Sequence, residues 1–595
     1  MVEANCSFSK DGPIKSGHDQ EGAWFARRFH PAIIFHTFTA LVLLIALIAM
    51  PAPGWAQAPE LVLLNGKIVT LDGASAVRQA IALRDGKIAA LGSTETISAL
   101  AGPETQRIDL AGRMVIPGLI DSHMHAIRAG LTWGSEVSWI GTRSIDQAMG
   151  LIREAAQRSP RGQWIIVAGG WTDQQFAEKR RPTQAELLAA APEHPVYVQL
   201  SYRAVLLTPL ALRALDLKED GDVPPRGSFE RDVEGNRTGW IHGDSRTIVA
   251  LFDRLPKPDL AQAMAGTKAY FRELNRLGLT GVLDPGGHNL APEEYAALFA
   301  LAQRSELTLR VSYSLFAPRA GHELEDFRAA TRHLPMGMAS GDGLLRFNGI
   351  GECVTWDMYN NDDPTAAQKE AYYQVALWAA RQGLTLTQHW GSEKSVPHLL
   401  EVFERVNAQV PLAPLRWSIA HLHDITPPTL ARMKALGLGW LMQDGLYFAQ
   451  PGYLQSRGAA ALATQPAIVS ALRLGVPTGG GTDAHRVMSY NPFIALQWML
   501  DGKTVAGVAT RDATETPTRE QALRIYTQGS AWFAHEEDRR GSLEVGKLAD
   551  LAVLSEDFFA LPVERIGALE SILTVVGGRV VYGAGPYAGL AASAK

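Results

Sequence analysis

The chain has 595 residues, of which 46% are hydrophobic and 20% are charged, and its formal net charge is −5 at pH 7. This length allows one large domain together with a smaller one. The charge balance is that of an ordinary globular enzyme and lacks the basic excess of a nucleic-acid-binding protein. We therefore expect a small-molecule substrate and no nucleic-acid partner.

The first 58 residues have the pattern of an export signal. Arg27 and Arg28 precede a largely apolar stretch over residues 31–50, and Ala56-Gln57-Ala58 offers a small-residue cleavage site. This pattern predicts a signal peptide over 1–58 and a periplasmic or secreted mature protein without stable membrane association. The alternative is an uncleaved anchor, although the apolar run is short for a spanning helix.

The chain contains two cysteines, Cys6 and Cys353, and Cys6 falls inside the predicted signal. The mature protein would keep one thiol and form no internal disulfide. A large core does not need such a bridge, even in an exported protein.

Two hairpin signals open the mature protein. Asn65-Gly66 and Asp85-Gly86 each lie between apolar runs, and Gly577-Gly578 does so near the other end of the chain. Such dipeptides supply the positive φ that two-residue hairpins require. We predict a composite β-sandwich domain formed by residues 59–114 and 539–595, closing around a central domain over 115–538.

In the central domain, short apolar strands alternate with helical patterns, which predicts βα units and a parallel sheet. About eight units in this length favour a (β/α)₈ barrel, a TIM barrel of the α/β class. Ten strand candidates exceed eight, so a couple of them must be accessory or wrong. The candidates are residues 115–120, 164–170, 196–201, 280–284, 309–316, 345–352, 385–390, 417–422, 439–443 and 476–483.

The stretch 203–258 is rich in proline, glycine and charge. We interpret it as an excursion able to cover a site, in which His242 and Asp244 could approach as part of a lid.

A pair of histidines ends the first central strand. Alternate residues of a strand point to the same side, so Asp121, His123 and His125 would project from one face. Two convergent imidazoles suit a divalent transition metal such as zinc. Asp121 is placed to support one of these imidazoles.

Four further groups stand at the ends of later strands: Glu352, His389, His421 and Asp483. Barrel active sites are built at that end by residues from separate strands. A bound divalent ion would lower the pKa of a water from about 16 toward ~7. Asp483 follows a glycine run that leaves space near the backbone, and it could take the proton of the water. The glycine run lacks the pattern of a phosphate loop.

These residues resemble the amidohydrolase superfamily, in the YtcJ-like branch (amidohydrolase family 3) that includes N-substituted formamide deformylase. The resemblance covers nearly all of the mature chain. It implies a barrel flanked by a composite β domain, and hydrolysis of a non-peptide carbon–nitrogen bond with one or two divalent ions, zinc being expected. It also implies His123, His125, His389, His421 and Asp483 as metal-site residues, with Asp483 as the base. The blocks that carry it are residues 117–125, 238–242, 416–421, 481–483, 518–527 and 541–550.

One departure concerns the fourth strand, where many relatives carry a lysine, often carboxylated, that bridges two metals. This chain has no lysine between Lys268 and Lys369, and Glu352 stands at that place. Glu352 either supplies the bridging carboxylate itself or orients a single metal, and we favour it as a ligand. Cys353 would face the other side of the strand and pack.

Several residues beyond the strand ends are candidates for contact with substrate. Trp171 and Trp390 would wall an apolar cleft, as would Trp356 and Tyr490, although core packing explains any one of them equally well.

Two polar candidates follow the metal-site residues. His423, two residues beyond His421, would share its face, and a solvent role is the alternative. Arg486, just after Asp483, would bind a substrate carboxylate unless it lies on a solvated loop.

The leading hypothesis is a metal-dependent amide hydrolase. An ester or lactone hydrolase, or an isomerase, on the same fold is the alternative, and a non-catalytic periplasmic binding protein is another. Binding alone does not require a carboxylate beside a metal. The sequence leaves the substrate, the number of metals and the assembly open, with a homodimer as one candidate.

Overall fold

The computed structural model describes residues 58–290, 292–390, 392–448, 458 and 463–591. Apart from Ala58, the predicted signal, with Arg27, Arg28 and Cys6, lies outside these residues. Within the described part of the chain, every helix is too short or too polar to cross a membrane.

The strands in chain order are β1 (Leu61–Leu64), β2 (Lys67–Val69), β3 (Val77–Arg78), β4 (Ala80–Arg84), β5 (Lys87–Gly92), β6 (Gln106–Asp109), β7 (Met114–Pro117), β8 (Leu119–Asp121), β9 (Ile165–Val167), β10 (Val196–Leu200), β11 (Ala204–Leu207), β12 (Ser228–Arg231), β13 (Arg237–His242), β14 (Leu279–Asp284), β15 (Arg310–Leu315), β16 (Ala339–Ser340), β17 (Leu345–Ile350), β18 (Thr387–Trp390), β19 (Ser418–His421), β20 (Gly439–Gln443), β21 (Thr478–Gly481), β22 (Leu551–Leu554), β23 (Ser571–Val576) and β24 (Arg579–Gly583). The helices are α1 (Thr94–Ser98), α2 (Ala126–Thr132), α3 (Ile145–Arg158), α4 (Gln184–Ala190), α5 (Pro209–Ala214), α6 (Ser245–Asp253), α7 (Leu260–Arg276), α8 (Ala296–Gln303), α9 (Glu323–Thr331), α10 (Ala366–Arg381), α11 (Val396–Asn407), α12 (Pro427–Ala435), α13 (Gly445–Phe448), α14 (Ile468–Leu474), α15 (Pro492–Asp501), α16 (Arg519–Arg524) and α17 (Ser530–Phe533).

The central domain is a closed barrel of parallel strands in the order β8-β14-β15-β17-β18-β19-β20-β21. The β17–β18 seam is joined by a parallel bridge between Ile350 and Leu386. At the other seam, Ser122 N donates to Gly480 O over 2.9 Å and joins β8 to β21. The predicted TIM barrel is confirmed, and its strands are eight of the ten candidates.

Helices surround this barrel and bury their apolar faces against it. In α10, the Thr365 hydroxyl accepts a hydrogen bond from the Gln368 N–H, and the Gln368 side-chain oxygen accepts one from the Thr365 N–H. This capping box fixes the helix start. Tyr372, Ala376 and Ala379 then recur at helical spacing and are buried in the main core.

A second sheet is inserted between β8 and β14, in the order β12-β13-β11-β10-β9. The candidate strands 164–170 and 196–201 were therefore wrong as barrel strands, because they form β9 and β10 of this inserted sheet. The predicted excursion 203–258 begins inside the same sheet, since β11 pairs antiparallel with β10. The insertion has its own core, which includes Trp139, Trp171 and Phe176.

The two ends of the described chain meet in a β-sandwich. β22 pairs antiparallel with β7 in a sheet of order β24-β23-β22-β7-β2-β3, and this sheet faces a second one of order β5-β4-β1-β6. Leu61 and Leu83 from one sheet share a core with Val115 and Leu573 from the other.

The predicted strand 115–120 is in fact two strands, because the chain passes from the sandwich to the barrel at Gly118. A Cβ at Gly118 would come within 2.2 Å of the Thr280 side chain, so only glycine fits at this crossing.

Candidate metal centre

The start of the site is fixed by a carboxylate that joins the first and last barrel strands. Asp121 accepts the backbone N–H of His123 over 2.9 Å, and it accepts the Thr482 hydroxyl over 2.7 Å. Asp121 was expected to hold an imidazole, but its hydrogen bonds hold the backbone at His123 and at Thr482, next to Asp483. Burial raises the pKa of Asp121 to about 7 despite these hydrogen bonds.

The glycine run before Asp483 has a structural reason. A Cβ at Gly481 would lie 2.7 Å from the His123 amide nitrogen, and a Cβ at Gly480 would lie 2.5 Å from the ring of Tyr526. Glycines thus let β21 lie against β8. Asp483, with φ of 55°, then donates its N–H to His123 O over 2.8 Å.

The structure brings all the predicted metal-site residues into one cluster. His123 Nε2 lies 3.2 Å from Glu352 Oε2, and His125 Nε2 lies 3.1 Å from Asp483 Oδ1. His389 Nδ1 is 3.1 Å from Glu352 Oε2 and 2.6 Å from His421 Nε2. The members of this cluster are His123, His125, Glu352, His389, His421 and Asp483.

Two overlapping triads in this cluster have the geometry to hold a cation. The ligand atoms of His123, His125 and Asp483 all lie within 4.8 Å of one another, and so do those of His123, Glu352 and His421. His123 belongs to both triads, and Glu352 lies against all four imidazoles at 3.7 Å or less. Imidazole and carboxylate donors of this number suit one or two divalent ions.

The hydrogen bonding of the cluster is unbalanced without such an ion. His125 Nδ1 donates to Gly286 O over 2.5 Å, so in the neutral ring Nε2 carries a lone pair, and this lone pair faces the Asp483 carboxylate. Neither ring nitrogen of His123 has a hydrogen-bond partner among the described residues, although the side chain is fully buried. Facing acceptors and orphaned buried nitrogens fit a cation held between them.

The electrostatics at His421, Asp483 and Glu352 favour the protonation states that bind metal, whereas Glu352 and Asp483 outweigh burial and raise the pKa of His123. Burial lowers the pKa of His421 to about 4, with a further contribution from His389, and this favours neutral imidazole. Burial alone would raise the pKa of Asp483, but His125 and His421 bring it down to about 2. His125 and His389 likewise hold the pKa of Glu352 well below its usual range against the effect of burial.

Comparison with known proteins agrees with this geometry. Residues 106–582 match the amidohydrolase family. The chain belongs to that family. The predicted resemblance to its YtcJ-like branch is confirmed, and as a member the protein is a hydrolase for carbon–nitrogen bonds other than peptide bonds.

Individual relatives cover most of this amidohydrolase. It is 24% identical to N-substituted formamide deformylase of Arthrobacter pascens, covering 88% of this chain and 99% of that protein. It is 23% identical to putative amidohydrolase YtcJ of Bacillus subtilis (strain 168), covering 85% and 96%. An uncharacterized metal-dependent hydrolase from Pyrococcus horikoshii OT3 shares the fold with a TM-score of 0.61 and 18% identity, over 85% of this chain and 99% of the other.

Two predicted substrate contacts of the amidohydrolase are wrong. Trp171 is buried in the core of the inserted sheet, where its indole donates to Gln199 O over 2.7 Å. Trp390 follows His389 on β18 and so points to the opposite side, into the helix layer, where its indole bonds Ser395. Cys353 packs in the main core, as expected.

The polar candidates have different positions. The His423 ring lies 6.0 Å from that of His421, beside the cluster. Arg486 makes no contact with the ligand residues of the metal cluster within the described part of the chain, and its Nη1 donates to Asn289 Oδ1 over 2.6 Å. In the inserted sheet, His242 bonds Glu230 over 2.5 Å and Asp244 caps α6.

The aromatic residues that do border the metal cluster are others. Tyr359 stacks on His389 with ring centroids 4.6 Å apart and an interplanar angle of 20°. His288 lies 5.7 Å from Tyr359 and 5.6 Å from Trp356. Only Trp356 of this group was among the sequence candidates. No spacing pattern marks Tyr359, which stands in the loop after β17.

Two carboxylates at strand ends, Asp284 and Asp444, were not predicted, although the rule that functional residues lie at the carboxyl ends of barrel strands applies to them as well. Asp284 ends β14 and accepts the backbone N–H groups of Ile127 and Gly286. Asp444 follows β20, is buried, and has no hydrogen-bond partner for either oxygen in the described part of the chain. Burial raises the pKa of Asp444 well above its usual value.

Proposed function

We propose that this amidohydrolase cleaves an amide-type carbon–nitrogen bond of a small molecule, with zinc as its divalent ion and Asp483 as general base. His123, His125, His389, His421, Glu352 and Asp483 would hold the ion or ions. The observation that carries the proposal is the lone pair of His125 Nε2 facing the Asp483 carboxylate across 3.1 Å, beside a buried His123 without hydrogen-bond partners.

Exposure supports Asp483 as the base in preference to Glu352. The side chain of Asp483 is 14% exposed, whereas that of Glu352 is 3% exposed. A water entering from the mouth of the barrel therefore meets Asp483 first. Its low pKa, about 2 in this cluster, keeps the carboxylate ionised at neutral pH.

A divalent ion bound here would acidify a water and polarise the substrate carbonyl. Asp483 takes one proton from the water as the water oxygen bonds the carbonyl carbon. Asp483 then gives that proton to the leaving nitrogen as the carbon–nitrogen bond breaks, so that acid and amine are the products. The hydrogen bond from Asp483 N to His123 O holds the carboxylate in position during both transfers.

We propose that Glu352 would serve as a ligand of the ion or ions. Its Oε2 lies within 3.7 Å of nitrogens of His123, His389 and His421, which come from three separate strand ends. A glutamate and a carboxylated lysine present similar oxygens, so Glu352 can serve where relatives carry the lysine.

The proposal is tested with matched amide and ester substrates. Zinc-loaded enzyme is assayed with N-(2-phenylethyl)formamide and with 2-phenylethyl formate, alongside Asp483→Asn. We expect the amide to be hydrolysed and the variant to lose at least ~10²-fold in kcat while remaining folded, because it cannot accept the proton. Asp362→Asn, at an exposed aspartate, is the matched control.

The possible results distinguish an amide hydrolase from an ester hydrolase and from a binding protein, and they test the role of Asp483. Turnover of the ester alone would replace the proposal by an ester hydrolase. Zinc uptake with no turnover across a panel of amides and esters would favour a binding protein. A near-parent rate in Asp483→Asn would remove Asp483 from the role of base.

A further inference from the structure

Two buried arginines lie beside the metal cluster without taking part in it. Arg128 stands on α2, three residues after His125, and Arg486 stands three residues after Asp483. Each is 2% exposed. Both therefore lie at the carboxyl-end side of the barrel, where the substrate enters.

Neither guanidinium is in ion-pair contact with a carboxylate of the described residues, although Glu136 lies near enough to Arg486, and Asp284 near enough to Arg128, for their charges to interact. Among the described residues, no carboxylate lies within 4.0 Å of Arg128 or Arg486. Nε and Nη1 of Arg128 and Nε of Arg486 also have no hydrogen-bond partner there. The oxygens of Asp284, a buried carboxylate in this region, are taken by the Ile127 and Gly286 N–H groups. A buried charge without a partner is unfavourable unless something else supplies the opposite charge.

A buried arginine elsewhere in the barrel shows the usual arrangement. Arg540 is 1% exposed, and its Nε lies 2.7 Å from Glu536 Oε2. The lack of any such carboxylate distinguishes Arg128 and Arg486 from Arg540.

The two arginines line the same cavity, which has a volume of about 330 Å³. Phe252, Leu255 and Ala263 form apolar parts of its wall. Charged residues also line it, with Lys257 paired to Glu294; they are Asp253, Lys257, Glu293 and Glu294. The Arg486 guanidinium is held over the Phe252 ring at 3.7 Å, which fixes its direction. A volume of this size, mostly apolar with a few convergent polar groups, is typical of a small-molecule site.

Arg128 connects the wall of the cavity with the metal cluster. A Cβ at Gly287 would lie 2.9 Å from His125 Nδ1 and 3.1 Å from Arg128 Nη1. Glycine at this position therefore lets the His125 imidazole and the Arg128 guanidinium pack close to each other. A group bound by Arg128 would lie near His125.

We infer that this cavity receives a carboxylate of the substrate, so that the enzyme acts on amides that also carry a carboxylate and an apolar group. Arg128 and Arg486 bind the carboxylate, since guanidinium groups pair with carboxylates through parallel hydrogen bonds. Phe252, Leu255 and Ala263 contact the apolar group. The inference rests on the proposed function and narrows its substrate class.

Binding and turnover test this inference separately. Calorimetry on the metal-loaded enzyme compares 3-phenylpropionate with 3-phenylpropionamide. Turnover compares racemic N-formylphenylalanine with N-(2-phenylethyl)formamide. We expect a preference of at least about tenfold for the carboxylate in both assays, because a site built for a charged group rejects an analogue lacking it.

Arg128→Gln and Arg486→Gln should each reduce that preference at least severalfold, measured as the ratio of kcat/KM for the two amides and as the ratio of Kd for the two ligands. Arg246→Gln, at an exposed arginine of α6, is the matched control and should keep the parent ratios. The comparison of ligands on the parent enzyme decides the matter even if a variant fails to fold.

A parent enzyme that binds acid and amide equally and prefers neither substrate would overturn the inference. So would arginine variants that lose equally on both substrates and unfold at lower temperature, since that result indicates a structural role. Preference for 3-phenylpropionate without hydrolysis of any amide would support the cavity and refute the proposed function.

Discussion

Two buried polar clusters lie at opposite ends of the barrel strands, and they are built in different ways. At the amino ends of β15 and β17, charges are matched. Arg310 pairs with Asp550 over 2.7 Å, Arg540 pairs with Glu536 over 2.7 Å, and Arg346 also contacts Glu536. Such pairs balance one another's charge, which is what a structural cluster needs.

At the carboxyl ends, the same barrel brings together groups that do not satisfy one another. The His125 lone pair faces Asp483, and both ring nitrogens of the buried His123 lack a hydrogen-bond partner among the described residues. The difference shows that burial of polar groups alone does not identify an active site. Buried donors and acceptors that need an added cation to satisfy them do identify one.

The largest expected effect is that of His123→Ala. His123 belongs to both ligand triads, so its loss should reduce bound metal and lower turnover at least ~10²-fold while the protein stays folded. Metal analysis and kcat are measured together. His322→Ala, at an exposed histidine, should change neither quantity. A near-parent rate and metal content in His123→Ala would contradict the assignment.

Glu536→Gln probes the matched cluster instead. Removing this carboxylate leaves Arg346 and Arg540 without their partner, so we expect a loss of about 3 kcal/mol in the free energy of unfolding at pH 7. Metal content of the folded protein should not change. Urea unfolding of parent and variant measures the difference, with the exposed Glu564→Gln as control.

The contribution of Glu536 to the free energy of unfolding should depend on pH. Burial would raise the pKa of Glu536, but Arg540 and Arg346 hold it below its usual value. Its stabilising contribution is therefore complete above the unfolded pKa of about 4.3 and is lost as the pH falls through the lower folded value. The gap between parent and Glu536→Gln should narrow on acidification below that pH. A constant gap would argue against the ion pairs as its source.

Trp171→Phe should have the smallest effect and tests a corrected assignment. The indole bonds Gln199 O inside the inserted core, so its loss should cost about 1–2 kcal/mol of stability. The ratio of kcat/KM for charged and uncharged amides should stay at the parent value. A changed ratio would return Trp171 to the substrate cleft.

Much of the barrel could be predicted from local patterns. Buried parallel strands are short apolar runs, and the rule that function lies at their carboxyl ends identified His389, His421 and Asp483 without knowledge of any contact. The same local patterns could not tell barrel strands from β9 and β10. Those two strands differ from barrel strands only in their partners, because β10 pairs antiparallel with β11 across a short turn and parallel with β9 on its other side.

Side-chain direction and shared cavities were also beyond the sequence. Asp121 contacts Thr482, which is 361 residues away, and that contact follows from barrel closure. Arg128 and Arg486 are far apart in the chain and line one cavity because β8 and β21 are neighbours. Asp284 and Asp444 were overlooked although the rule for strand ends covers them.

The central claim is that the unmatched cluster at the carboxyl ends works by holding a cation. The direct measurement is turnover of an amide by the enzyme before exhaustive chelation, after it, and after zinc is returned. Turnover should disappear when the metal is removed and return when zinc is added back. Full activity in metal-free protein, verified by elemental analysis, would contradict it.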